Sequence, residues 1–544
     1  MKKWGIFLFS IMLVLVLAAC TANEEAGEDP ENSDDENQEE SSGEKVLRMN
    51  NGTEPTSLDP SIGFDAASWN VLNNLMEGLT RLGEDHQPQE AVAESWEVSE
   101  DGLTYTFHIR EDANWSNGDP VTAEDFVYGW TYMLDPSTAS SAAFLAYFIE
   151  GAEDFNSGSG DAEALGLEAI DEKTFEVTLN APTGAFLNII SNPSFFPVNV
   201  SAAEENPQWY AEADSFVSNG PFMLESWEHS SELVMVKNQE YWDADTVKLD
   251  KVHWAMVDDV NTEYQMFESG DLDISEIPAD VADQLIDGDN VVMEDQAGLA
   301  FYRFNVTEEP FQNEKIRKAI AMSVNQQEIV DYVTKMGEEP AYGFVAPGFT
   351  DADGNDFRET NGDLLEYNPD EAKALLEEGM EEEGYDELPQ VTLSYSNTEA
   401  NRVRAESIQQ MINETLDINL ELRSSESSVF LDEQRALQHQ FTTSSFLHDY
   451  ADPINALESF ITDSSMNRTG WSNAEYDQLI ADAKTEADEQ ARFELLYEAE
   501  KLLMDEMPIF PLYFYNQVYL YADDVNNIVR HPVGYVELKW ADKQ

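Results

Sequence analysis

Stretches in which apolar and polar residues alternate predict β-strands at several places along the chain. Leu103, Tyr105, Phe107 and Ile109 alternate with polar residues, which is the period of a strand that buries one face. Residues 175–179 and 233–236 are also predicted to be strands. Elsewhere apolar residues recur at helical spacing, and the segments so predicted are 122–133, 315–324 and 368–378.

The clearest unit lies between residues 391 and 422. Apolar residues alternate at 391–395, recur on one side of a helix at 402–416, and alternate again at 418–422. A strand, a helix and a strand at this spacing predict a βαβ crossover with two parallel strands. In open α/β sheets, ligands bind outside the carboxyl ends of such strands.

Asp449 is predicted to stand at such a position. Residues 441–447 are predicted to be the next strand, and the stretch SSFLHDYADPINALESF (444–460) continues past its end. This location favours a ligand-binding role for the Asp449 carboxylate. The alternative is that Asp449 only terminates the strand. Asp452, which precedes Pro453, is interpreted as a turn residue.

The amino terminus has the features of a secretory signal peptide in their usual order. A positive start is followed by an apolar run at 6–17, which is too short to span a membrane comfortably. The run ends in Leu17-Ala18-Ala19-Cys20, which resembles a bacterial lipobox. We therefore expect residues 1–19 to be a lipoprotein signal peptide and Cys20 to be lipidated. The alternative is a plain secretory signal with an incidental cysteine.

Cys20 is the only cysteine of the chain, so no disulfide framework is expected. Residues 21–44 contain 11 acidic residues and no basic residue. Such a segment cannot bury enough apolar surface to offset its ordering entropy. We expect residues 20–44 to be a lipidated cysteine followed by a disordered acidic tether.

The charge balance excludes some partners. The chain has 110 Asp and Glu against 28 Lys and Arg, a net charge of −82, so neither nucleic acid nor an anionic membrane surface is an expected partner. Because the excess is spread over the whole chain, we interpret it as adaptation to high salt, which screens self-repulsion. The alternative is that the acids serve a cationic ligand.

Signatures of enzymes and cofactor sites are missing from the sequence. It contains no H-E-x-x-H, P-loop, G-x-S-x-G or dinucleotide-binding motif. Its seven histidines never stand in pairs at metal-ligand spacing. Asp351-Ala-Asp353-Gly-Asn355 resembles the beginning of a calcium loop, but Asp356 and Gly362 replace the glycine and the glutamate that the loop needs. We predict no enzyme activity, no cofactor and no metal site.

Seven stretches of the sequence resemble those of a known family. In order they are NNGTEPTSLDP (50–60), MEGLTRL (76–82), AESWEVSEDGLTYTFHIREDANWSNGDPVTAEDFVYGW (93–130), SNGPF (218–222), YWD (241–243), IRKAIAMSVN (316–325) and PAYGFVAPG (340–348). This ordered series resembles the oligopeptide-binding lipoproteins of peptide ABC importers, which belong to family 5 of the extracellular solute-binding proteins. The similarity extends over residues 46–544.

The resemblance implies an α/β fold with two lobes. This is the type II periplasmic-binding-protein or "Venus flytrap" architecture of the large peptide-binding branch, with an extra inserted domain. The first lobe would comprise 45–76, 200–299 and 515–544, the inserted domain 77–199, and the second lobe 300–514. Ligand would bind in the cleft, and the lobes would close by a hinge motion.

The resemblance also implies how a peptide would be held. In relatives, an aspartate in an aromatic-x-x-Asp-Tyr stretch receives the amino terminus of the peptide, and here that residue is Asp449. Ser445 and Leu447 would offer main-chain groups, and Phe446 would form a pocket wall. Phe446 stands where Trp is usual and His448 where a small residue is usual, which would change the shape of the pocket.

The peptide carboxylate is expected to meet a basic residue. One position at which relatives place such a residue is Thr443 here, which cannot serve. Another is Arg402, a candidate for bidentate capture, for which the alternative is an exposed arginine paired with surface acids. Tyr302 could line the cleft, with an ordinary core role as its alternative.

We therefore expect an extracytoplasmic receptor, anchored to the outer face of the cell membrane through Cys20. It would capture oligopeptides and deliver them to the transmembrane subunits of an ABC permease, which would recognise closure of the lobes. Self-repulsion and the resemblance favour a monomer. The alternatives are a different ligand (a sugar, a nickel chelate or a signalling peptide), a secreted hydrolase, and a structural surface lipoprotein.

Overall fold

The computed structural model of the protein describes residues 43–544. The predicted signal peptide (1–19), Cys20 and nearly all of the predicted tether (20–44) lie outside the described residues. Between residues 43 and 544, no helix is both long enough and apolar enough to cross a membrane.

The strands are given in chain order. Up to residue 255 they are β1 (Val46–Asn50), β2 (Thr80–Leu82), β3 (Pro88–Glu90), β4 (Ala93–Val98), β5 (Thr104–Ile109), β6 (Leu167–Asp171), β7 (Thr174–Thr178), β8 (Phe222–Glu228), β9 (Glu232–Lys237) and β10 (Lys251–Ala255). After residue 255 they are β11 (Ile274–Glu276), β12 (Val291–Phe304), β13 (Glu339–Pro340), β14 (Thr392–Ser396), β15 (Glu421–Ser425), β16 (Phe441–Leu447), β17 (Ile509–Tyr521), β18 (Val525–Asn526), β19 (Val529–Arg530), β20 (Val536–Glu537) and β21 (Asp542–Lys543).

The α-helices are given in the same way. Up to residue 322 they are α1 (Ala66–Leu75), α2 (Ala123–Leu134), α3 (Ala152–Asn156), α4 (Phe186–Ile190), α5 (Val200–Glu205), α6 (Val260–Ser269), α7 (Ala282–Leu285) and α8 (Glu314–Met322). After it they are α9 (Gln326–Ile329), α10 (Phe357–Asn361), α11 (Pro369–Glu383), α12 (Glu399–Leu416), α13 (Ser427–Arg435), α14 (Ile454–Leu457), α15 (Ala474–Thr485) and α16 (Glu489–Glu506).

The predicted helices begin where a side chain satisfies the first free N–H groups. At α2, the Asp125 carboxylate accepts a hydrogen bond from the Thr122 N–H at 2.9 Å, as the capping-box spacing predicts. At α8 and α11, Asn313 and Asn368 accept from main-chain N–H groups of the first turn. The strands predicted at 103–109, 175–179 and 233–236 correspond to β5, β7 and β9.

Two four-stranded sheets occupy the amino-terminal half of the described chain. In one, the strand order is β1-β10-β9-β8, with β1 parallel to β10. The other has the order β4-β5-β7-β6 and is entirely antiparallel. The antiparallel sheet is built only from residues of the predicted inserted domain, 77–199.

The largest sheet has seven strands in the order β11-β17-β12-β16-β14-β15, and β13 pairs with β17. β14 and β15 are parallel, which confirms the predicted βαβ crossover through α12. β15 begins three residues later than the predicted 418, because the chain first has to terminate α12. Asp417 adopts a left-handed φ of 55°, and the Leu420 N–H donates to Asn413 Oδ1 at 2.8 Å.

Two long strands contain the predicted boundaries of the second lobe, 299/300 and 514/515. β12 and β17 pair over most of their length, but their register shifts between Ala300 and Phe301 and, over a longer interruption, between Asp295 and Leu299. Within this interruption, the Ala297 N–H donates to Pro532 O at 2.8 Å, while Ala297 O accepts from the His448 N–H at 2.8 Å. Ala297 therefore bonds to Pro532 and His448 and not to β17, which is a local irregularity in the pairing of the two strands.

A buried ion cluster joins three distant parts of the chain. Arg81, 2% exposed, donates to Glu77 Oε1 at 2.6 Å and to Glu537, whose side chain is also buried. The Glu77 carboxylate further accepts from Tyr241 Oη at 2.5 Å and from Trp242 Nε1 at 2.6 Å. The cluster therefore ties MEGLTRL and YWD, two of the stretches noted in the sequence, to the carboxy-terminal segment.

We predict that Arg81→Met destabilises the fold by about 3–5 kcal/mol, because it leaves the buried Glu77 and Glu537 carboxylates without their cation. Urea denaturation followed by tryptophan fluorescence at constant high salt measures this loss. The matched control is Arg435→Met, since Arg435 is exposed and pairs with the exposed Asp432; it should cost less than about 1 kcal/mol. Equal unfolding midpoints for the two variants would contradict the prediction.

Candidate ligand-binding site

β16 is paired along one edge and largely free along the other. On one side it pairs with β12 over its full length, from Phe441 to Leu447. On the other side, β14 pairs only with Phe441 and Thr442 and then diverges. The remaining edge, from Thr443 to Leu447, has no strand partner among the described residues.

The direction of the main-chain groups follows from the register. The His448 N–H donates to Ala297 O and the Asn305 N–H donates to Gln440 O, both at 2.8 Å. Even-numbered residues of β16 therefore direct their N–H and C=O groups to β12, and Ser445 and Leu447 direct theirs to the free edge. An extended ligand could pair there as an additional strand.

The side chains of this strand alternate between two environments. Ser445 and Leu447 are exposed, Leu447 at 56%, whereas Phe446 is 8% exposed and contacts Phe344 and His448. Gly298 of β12 permits the close approach of this end of β16. A Cβ atom at Gly298 would lie 2.5 Å from both Phe446 O and Leu447 Cδ2.

Asp449 follows the free edge as a half-buried acid. Its main-chain N–H donates to Asn455 Oδ1 at 2.9 Å. Burial raises the pKa of the Asp449 carboxyl group, Asn455 opposes this rise through a hydrogen bond, and Glu458 adds to it through its charge. Within the described part of the chain, no Lys, Arg or His nitrogen forms an ion pair with this carboxylate.

The neighbours of Asp449 do not neutralise it. His448 is 4% exposed and packs against Phe349, and burial lowers its pKa to about 3, so its ring is uncharged at neutral pH. Asp452 is more than the turn residue predicted. It accepts two hydrogen bonds from the buried Arg492 guanidinium, at 3.0 and 2.7 Å. The Arg492 charge is therefore committed to Asp452.

Residues of the predicted inserted domain contact the loop that carries Asp449. The Asn188 side chain donates to Ala451 O at 2.8 Å, and Asn192 Nδ2 donates to Asp449 O at 3.4 Å. Beside this loop lies a cavity of about 320 Å³ whose lining includes Phe144, Phe148, Tyr450 and Asn455. The loop thus borders a space that has apolar walls and charged groups of both signs, since Glu458, Lys484 and Arg492 also line it.

A second cavity, of about 390 Å³, lies at the other end of the free edge and is lined by Arg303, Arg404 and Arg468. We call it the arginine pocket. Its lining also includes Thr443, Ser444 and Ser445 of β16. No Asp or Glu of the described chain lines it. Exposed Leu431 and Met466 form part of its rim.

Two predicted site residues are not among those that line this pocket. Arg402 projects from the exposed side of α12 and pairs with Glu399 and Glu406. Tyr302 is 1% exposed and stacks on Phe510, with ring centroids 5.0 Å apart. Their roles in ligand binding stay predictions. Arg404, on the same helix, is the residue that lines the arginine pocket, and the sequence reasoning missed it together with Arg303 and Arg468.

The bilobal α/β architecture and the open strand edge are those of a solute-binding protein. The profile of the bacterial extracellular solute-binding proteins, family 5 middle, matches residues 87–468. The chain belongs to this family, which places it outside the cytoplasm. It is 58% identical to the dipeptide-binding protein DppE of Bacillus subtilis (strain 168) over 542 residues, covering 100% of this chain and 99% of that relative.

Solved structures of related proteins have the same fold. Listeria monocytogenes OppA bound to peptide is 33% identical, with a TM-score of 0.71, covering 92% of this chain and 100% of that one. The unliganded open form of MppA, a periplasmic murein tripeptide binding protein, is 27% identical with a TM-score of 0.82, covering 92% and 98%. The present structure is thus more similar to the unliganded open form than to the peptide-bound structure.

We predict that Gly298→Ala destabilises the protein by about 1–3 kcal/mol, because the added methyl group overpacks the contact with Phe446 and Leu447. Urea denaturation gives the loss, and amide hydrogen exchange should show faster exchange at residues 445–450. Gly83→Ala is the control, because its Cβ meets only the flexible ends of Asp85 and Gln89. Unchanged exchange in Gly298→Ala would refute the proposed packing constraint.

Proposed function

We propose that the protein is a receptor that captures oligopeptides between its lobes and delivers them to an ABC-type permease. The observation that carries this proposal is the free edge of β16, which has a carboxylate beyond one end and the arginine pocket at the other. The names of the relatives, which bind dipeptides and oligopeptides, agree with it. The function is binding and release rather than catalysis.

The charges at the two ends of the edge suit a zwitterionic peptide. Main-chain pairing with Ser445 and Leu447 would recognise any sequence, because every peptide offers the same N–H and C=O groups. Asp449 would receive the α-ammonium, and the arginine pocket would face the carboxylate. The peptide would therefore run antiparallel to β16.

Asp449 is suited to receive an ammonium group because no basic side chain of the described residues forms an ion pair with it. A half-buried carboxylate whose pKa is raised gains most from a charged partner that arrives with the ligand. Closure of the lobes would then bury the pair. Phe446 would support the edge from behind, and the register break in β12 and β17 is the position at which we place the hinge.

The same proposal includes a lipid anchor, a tether, the acidic surface and the division into lobes. The lipobox-like sequence would anchor the receptor through acyl chains on Cys20, and residues 21–44 would hold it away from the membrane. The acidic excess of the chain would keep it soluble and monomeric in high salt. We retain residues 45–76, 200–299 and 515–544 as the first lobe, 77–199 as the inserted domain and 300–514 as the second lobe.

We predict that acetylation of the peptide amino terminus weakens binding by about 3–5 kcal/mol, because Asp449 is then buried without a partner. Calorimetry with a mixed-composition pentapeptide at constant high salt measures the difference. Asp449→Asn should bind the free peptide with a comparable loss and should no longer distinguish it from the acetylated peptide.

Asp463→Asn is the matched control for this experiment, because Asp463 is an exposed acid in the same lobe. It should bind both peptides as the unaltered protein does. If the unaltered protein binds both peptides equally, Asp449 is not the ammonium partner. If neither peptide binds, the proposal of a general peptide ligand is wrong.

We predict that affinity for a free-amine peptide falls as the pH is lowered through the Asp449 pKa. Because burial raises this pKa, the loss should begin at a higher pH than for an ordinary aspartate. Affinity should also fall above about pH 8, where the peptide ammonium deprotonates. Calorimetry across the pH range checks both limbs, and the acid limb should be absent in Asp449→Asn. Affinity independent of pH in the unaltered protein would refute the assignment.

A further inference from the structure

The arginine pocket gathers three positive charges at one end of the peptide edge. Arg303 is 2% exposed, and Arg404 and Arg468 are half-buried. All three line one cavity of about 390 Å³ together with the first part of the free edge. Burial and the charge of Arg468 lower the pKa of Arg303 to about 9, so the Arg303 guanidinium group remains charged at neutral pH.

Neutral groups hold each of these side chains in place. Arg303 donates to Ser444 Oγ at 2.9 Å and to Met466 O at 2.7 Å. Arg404 donates to the Tyr513 hydroxyl group and to Asn401 Oδ1. Arg468 donates to Gln434 Oε1 at 3.0 Å. These partners fix the geometry of the guanidinium groups but leave their charge uncompensated.

Three other arginines of the described chain with little exposure meet a carboxylate, while the buried Arg317 donates to main-chain carbonyl oxygens. Arg81 pairs with Glu77 and Glu537, Arg358 with Glu500, and Arg492 with Asp452. The acids near the arginine pocket are also committed, since Glu433 pairs with Arg423 and Asp432 with Arg435. Within the described part of a chain that has 110 acidic residues, no acid lines this pocket, so the pocket is suited to a ligand that supplies the negative charge.

The helices around the pocket favour an anion as well. α12 and α13 begin beside it, and Asn401 and Ser427 of their first turns are part of its lining. Helix amino termini carry partial positive charge and free N–H groups. Both helices already have a cap, the Glu426 carboxylate at α13 and the Thr398 hydroxyl group at α12, so their first turns add partial positive charge to the pocket and do not form a separate anion site.

One carboxylate would leave most of this charge uncompensated when the lobes close. From these contacts we infer that the arginine pocket binds the carboxylate of an acidic side chain in addition to the peptide's terminal carboxylate. The protein would therefore select short peptides with Glu or Asp near the carboxyl end. This inference rests on the proposed function and specifies its ligand class.

The distance along β16 sets where the acidic residue should stand. Ser444 lies five residues before Asp449, which corresponds to about 16 Å of extended chain. An extended tripeptide spans about 10 Å, and the Asp449 side chain with its contact to the ammonium group covers most of the remaining length, so the third or fourth residue of the peptide would reach the pocket. A tripeptide ending in Glu would then place two carboxylates among the three guanidinium groups.

The test compares Ala-Ala-Glu, Ala-Ala-Gln and Glu-Ala-Ala by calorimetry at constant ionic strength, with penta-alanine as a neutral reference. Ala-Ala-Glu should bind at least about tenfold more tightly than Ala-Ala-Gln, as a charge-assisted contact provides. Glu-Ala-Ala should lack this advantage, because its acid would lie at the Asp449 end. Arg468→Gln and Arg404→Gln should each lower the affinity for Ala-Ala-Glu more than that for Ala-Ala-Gln.

Arg435→Gln is the matched control, because Arg435 is exposed and pairs with Asp432 outside the pocket; it should leave the preference unchanged. If penta-alanine binds but Ala-Ala-Glu is no better than Ala-Ala-Gln, the inference is wrong and the proposed function stands. If neither penta-alanine nor any tripeptide binds, both are wrong. A preference that survives both pocket variants would also overturn the assignment to these arginines.

Discussion

The proposed ligand-binding surface depends on the early divergence of β14 from β16. β14 pairs with Phe441 and Thr442 only, while β12 pairs with the whole strand. β16 is therefore held rigidly from one side and presents Ser445 and Leu447 on the other. Free strand edges risk unwanted pairing, but this edge is short and has charged groups near both ends. Under the proposed function, these features would make it selective for an extended ligand with termini of opposite charge.

The sequence predicted the elements of the site better than their connections. Residues 441–447 form the predicted strand, and Asp449 follows it, because alternation and chain order are local properties. Which edge stays free depends on β12 and β14, which are distant along the chain. In α12, helical spacing alone could have indicated which arginine faces the interior. Arg404 stands four residues before the buried Ile408, whereas Arg402 points to the exposed side.

The charges of the protein follow two different rules. Most acids are exposed and tolerate one another through screening by salt. Several buried charges are instead paired individually, as Arg81 is with Glu77 and Glu537, because an unpaired ion in the interior is costly. Asp449 and the arginine pocket depart from the second rule with opposite signs. Composition alone could not show this, since one acid among 110 carries little information, whereas the absence of a partner is visible only in three dimensions.

β12 connects the ligand edge with the predicted boundary between lobes. Its pairing with β16 continues to Gly298 and Leu447, next to the register break between Asp295 and Leu299. Ala297, inside that break, accepts the hydrogen bond from His448 that fixes the end of β16. A rotation confined to the break would leave the pairs from Leu299 to Phe304 intact. The free edge and Asp449 would then move as one body with the second lobe, so ligand already paired with β16 would keep its register while the cleft closes.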